Sequence, residues 1–129
     1  MFGFGGRAKA RREAQEEFDT TCRKLRGAPE SGQAALGHAI NQAHGIFIAQ
    51  FGSVDAFSKI PREEQFAYME RLSKAAVSFM QEKQDPASSM GFDLFKMWVG
   101  MVVARDTELM DKFGLELAYF SKKGEGLGA

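Results

Sequence analysis

Two histidines, one cysteine and one aspartate set among apolar residues are the side chains of this chain best suited to chemistry. His38 and His44 are six residues apart, which on a helix separates them by about 120° around the axis. They are therefore no i, i+4 chelating pair. Ala35 and Asn41 stand three residues before them, so the Glu-x-x-His pattern of di-iron bundles is missing. No histidine follows His44 to serve as the proximal ligand of a haem pocket. Cys22 is the single thiol, which excludes an internal disulfide, a zinc knuckle and iron–sulfur ligation. Neither a metal nor a cofactor is expected.

Asp106 interrupts a stripe in which Phe95, Val99, Val102, Leu109 and Phe113 follow a four-three-four spacing. A carboxylate buried in such a stripe needs a hydrogen-bond partner, or it takes up a proton. His44 is the predicted donor, with Arg105 and Lys112 as local competitors. The His44–Asp106 pair would fix helix register or anchor a small-molecule ligand. No serine or cysteine is placed beside it as a nucleophile, so the chain reads as a non-enzyme.

The run His38-Ala39-Ile40-Asn41-Gln42 resembles the phosphoacceptor box of sensor histidine kinases, and that resemblance implies a phosphate relay through His38. It covers five residues. Ala39 stands where the family carries an acid, and Ala43 where it carries proline. Around His44, Phe47 and Ile48 occupy the places where histidine phosphotransfer bundles carry lysine and glycine.

The elements that must position these residues are helices, because apolar residues recur at three and four and no alternating run supports a strand. The predicted fold class is all-α: one domain over 1–129, a four-helix-type bundle with flexible ends at 1–6 and 124–129. The first helix, 8–26, has the thin stripe Ala14, Phe18, Thr21, Cys22 and Leu25, and should be the least stable. The second, 30–51, carries Leu36, Ile40, Ala43, Phe47 and Phe51 before a capping Gly52. Ser53 caps a short extra turn through Phe57. The third helix starts at Pro61 and buries Phe66, Met69, Leu72, Ser73, Ala76, Phe79 and Met80. Asp85-Pro86 ends it, and the fourth runs from Ser88 or Ser89 to about Phe113, with a break at Gly114 before a last segment.

Two helices carry faces that do not look solvated. From Ser31 to Val54 no residue is charged, and the side of the second helix bearing Ala34, His38, Asn41, Gln42, Gly45 and Ala49 faces away from its apolar stripe. On the fourth helix Leu94, Met97, Met101 and Ala104 form a second apolar set, and methionines adapt to irregular surfaces. His38, Asn41, Gln42, Gly45, Leu94, Met97 and Met101 are therefore the predicted interface to a second copy or a protein partner. The function expected is an interaction or regulatory module. The alternative is a small-molecule sensor that draws an aromatic cavity from the 12 phenylalanines, with His44 and Asp106 as anchors.

Lysine plus arginine and aspartate plus glutamate both number 17, which argues against a globally basic nucleic-acid binder. The basic start, Arg7, Lys9, Arg11 and Arg12, offers at most a modest, salt-sensitive contact with an anionic membrane surface. It is better read as a solvated helix start with an Arg12–Glu16 pair. The start lacks the apolar core of a secretory signal, so a cytoplasmic protein is expected.

Overall fold

Prolines, glycines and capping side chains set most helix ends in the computed structural model, which describes residues 2–125, with the side chains of residues 2–5 outside the description. Six helices form: α1 (Phe2–Arg26), α2 (Glu30–Phe51), α3 (Val54–Lys59), α4 (Arg62–Gln81), α5 (Pro86–Ala104) and α6 (Thr107–Gly124). The chain is all-α, and no strand occurs among the described residues. The expected extra turn is α3, capped by Ser53, whose side chain accepts from the Ala56 N–H. Gly52 closes α2 with φ 87, a left-handed conformation that glycine adopts without strain.

Three ends differ from the sequence reading. The first helix begins at Phe2, well before Ala8. The α5 helix starts at Pro86, because the Asp85 carboxylate accepts from the Ser88 N–H and proline suits the first helical position. The break expected at Gly114 falls instead at Arg105 and Asp106, and α6 runs unbroken through Gly114. There Arg105 takes a left-handed conformation at φ 57, and the Asp106 carboxylate caps α6 by accepting from the Leu109 N–H at 3.1 Å.

The α5 helix lies at the centre, packed on α2, α4 and α6. Val99, Val102, Leu109 and Phe113 are all buried, so the stripe continues across the break although the helix does not. Glycines let the backbones meet: a Cβ on Gly37 would overlap the Phe120 carbonyl, and one on Gly91 would stand 2.7 Å from Ala39 Cβ. Gly124, expected in a flexible end, is buried against the backbone of Gly37 and His38. The remainder of that end, residues 126–129, lies outside the described residues, as does Met1.

Phe47 is fully buried at the hub of an aromatic cluster, with Phe51, Phe57, Tyr68, Phe95 and Trp98 at ring-centroid distances of 5.2–6.0 Å. That cluster rotates α4 from its predicted orientation. Gln65, Tyr68, Leu72 and Ala76 are buried, while Phe66 and Met80 are half-exposed. The reason is local: Tyr68 completes the cluster, and Gln65 Nε2 donates to the Phe57 carbonyl at 2.9 Å. The α1 helix lies on α5 and α6, with Phe18 stacked on Phe113 at 3.8 Å and Cys22 buried, as its thin stripe predicts.

Candidate functional site

The contact of α2 with α6 sets the geometry of the site. Backbones touch at Gly37 and Gly124, and beside that contact Asn41 Nδ2 donates to the Ser121 carbonyl at 3.1 Å while the Ser121 hydroxyl donates back to Asn41 Oδ1. This bridge marks one end of a groove of about 310 Å³. Ile40, Asn41 and His44 line its α2 side, Gly114, Leu117, Ala118 and Ser121 its α6 side, and Phe95 and Trp98 of α5 with Val54 complete it. None of these side chains is a lysine, arginine, aspartate or glutamate. His44 is exposed at the groove, with its ring edge-on to Phe95 at 6.2 Å. Trp98 turns its Nε1 toward Gly114, where an added Cβ would stand 3.6 Å from that nitrogen.

The predicted His44–Asp106 pair does not form. Arg11 takes Asp106 instead, through Nε to Oδ2 at 2.6 Å and through Nη2 to Oδ1 at 3.3 Å, and Nη2 also reaches Glu108 at 3.2 Å. The Arg11 guanidinium holds the Asp106 carboxyl below the usual carboxylate range. As the cap of a helix at a turn, Asp106 needs no partner from α2. The N-terminal pair at the start of α1 is Lys9–Glu13 at 3.9 Å, in place of Arg12–Glu16.

The predicted interface residues divide. Gln42 and Gly45 are exposed on α2, and His38 is half-buried near the end of α6. Asn41 is turned toward α6. Leu94 is fully buried and so is no interface residue, because α5 is enclosed by its neighbours. Met97 and Met101 are half-buried against the core. Cys22 forms part of a charged depression with Asp19, Arg23, Arg26 and Glu116, spanned by an Arg26–Glu116 ion pair at 2.8 Å. Burial pushes the Cys22 thiol up to about 12, which leaves little thiolate for nucleophilic chemistry.

Sequence reasoning missed Trp98, Gly114, Leu117 and Ser121 as lining residues. A single tryptophan, whose indole N–H needs an acceptor when buried, was the available signal. Among the described residues no three His, Cys, Asp or Glu side chains gather as metal ligands would, and no helix is long and apolar enough to cross a membrane. No protein-family model, curated protein or solved structure matches the chain.

Proposed function

We infer that this chain is a non-enzymatic helical interaction or regulatory module whose outward α2 face pairs with a second copy of itself in a cytoplasmic setting. One observation supports this: α2 carries no charged residue from Ser31 onward, yet Ser31, Gln42, Gly45, Ile46 and Ala49 stay exposed, Ile46 at 53%. A solvated helix side normally carries lysine and glutamate, as α4 does with Glu63, Glu64, Glu70, Arg71 and Lys74, all exposed. Gly45 has open space above it, so another helix backbone has room to approach closely. An uncharged face also suits a two-fold pair, because like meets like without repulsion. In this reading α2, α4, α5 and α6 act as the bundle and α1 lies along it.

Light scattering at micromolar concentration tests the reading. The wild-type chain should give twice its 14.3 kDa mass, while Ile46→Glu and Ala49→Glu should give the single-chain mass with helix content unchanged. A wild-type mass of 14.3 kDa throughout would overturn self-association.

A further inference from the structure

We propose that the groove between α2 and α6 is a binding site for a neutral aromatic molecule of one or two rings that carries an oxygen acceptor. Size sets the first limit: at about 310 Å³ the groove lies at the small end of ligand sites. Charge sets the second. Phosphate and carboxylate ligands are held by arginine, lysine or clustered backbone N–H groups, and no cationic lysine or arginine lines this groove. An anionic ligand would lose its hydration there without a compensating partner.

The lining supplies the remaining chemistry. Half-buried Trp98 offers ring surface for a flat apolar body, over a floor formed by the buried side chains of Phe95, Ile40 and Leu117. Trp98 Nε1–H faces the Gly114 side, makes no hydrogen bond to another described residue and is not sealed from solvent, so an oxygen on the ligand would take the place of water there. The exposed imidazole of His44 adds a second polar contact at the rim. Asn41 and Ser121 are bonded to each other and serve as an end wall. Gly114 keeps the space over the indole open, although a Cβ would fit there at ordinary contact distance.

Trp98 is the sole tryptophan, so its indole N–H gives one unambiguous resonance in a proton–nitrogen correlation spectrum. The probe is 2-naphthol, which is neutral at pH 7, with 2-naphthyl phosphate as the charged comparison. Titration of 2-naphthol should shift the indole resonance saturably, and the phosphate should bind about tenfold or more weakly. Gly114→Leu and Ala118→Leu, which fill the groove, should each weaken 2-naphthol binding about tenfold or more. Ala118 is exposed, so its variant keeps the test intact should Gly114→Leu fail to fold. Repeating the titration on Ile46→Glu separates ligand binding from self-association. No saturable shift in the wild-type chain, equal binding of the phosphate, or undiminished binding by a folded Ala118→Leu variant would overturn the proposal.

Discussion

Asp106 does two things at the turn between α5 and α6. It caps the first turn of α6 and it binds Arg11 of α1, so one carboxylate ties α1 to α6. Asp106→Ala should cost about 1 kcal/mol through the lost cap alone. Asp106→Asn, which still caps but carries no charge, isolates the ionic part. Because the folded carboxyl titrates below the unfolded value of about 3.9, its contribution is present above that value and is lost as pH falls through the lowered folded value. Thermal melts between pH 2 and pH 6 should therefore show a shallower acid decline for Asp106→Asn than for wild type. Asp85, also lowered by its bonds to Ser88, keeps part of that decline in both proteins. Equal acid slopes would remove the pairing with Arg11 from the stability of the fold. His44→Ala, by contrast, should leave the melting temperature nearly unchanged, because the exposed imidazole makes no hydrogen bond or ion pair among the described residues and meets only the Phe95 ring edge-on. The stripe spacing made Asp106 conspicuous but could not name Arg11, which arrives from 95 positions away in sequence.

Helix crossings depend on which glycines are covered. At Gly37 an added methyl would overlap the Phe120 carbonyl, and a backbone cannot move aside as a side-chain tip does. Gly37→Ala should destabilise by about 1–3 kcal/mol and loosen α6 from α2. At Gly114 the same change meets only Trp98 Nε1 at 3.6 Å. It should stabilise by roughly 0.5–1 kcal/mol, because alanine favours a helix interior over glycine. Chemical denaturation of the two variants checks both signs, and a shared sign would refute this account of the crossing. Helix existence was legible in the sequence because it rests on local spacing and caps: α2 matches its predicted bounds, and Gly52 and Ser53 cap as read. Orientation was less so. On α4 the Phe66 stripe is as apolar as the buried one, and only the distant Phe47 cluster decides that Tyr68 faces inward. The groove was half legible: His44 stood out, while Trp98 and Gly114 gained meaning only when α5 and α6 met.

At the scale of the whole molecule, charge balance and apolar burial act in the same direction on α2. Equal numbers of acidic and basic residues leave no net repulsion between copies, and the uncharged α2 face supplies no local repulsion either. Nothing electrostatic then opposes pairing, and covering Ile46 and Ala49 removes apolar surface from water. If the copies pair and unfold as separate chains, stability must follow concentration. A hundredfold rise adds about 2.7 kcal/mol per dimer. Spread over an unfolding entropy of about 2.1 cal/mol/K per residue, that raises the melting temperature by about 5 °C. Wild-type protein melted at about 1 and about 100 µM should show this rise, whereas Ile46→Glu should melt at one temperature throughout. An unchanged wild-type value together with a single-chain mass would leave the α2 face without a partner of its own kind. The same melts with 2-naphthol present distinguish the two surfaces, because a ligand that binds only the folded chain raises the melting temperature of Ile46→Glu and wild type alike.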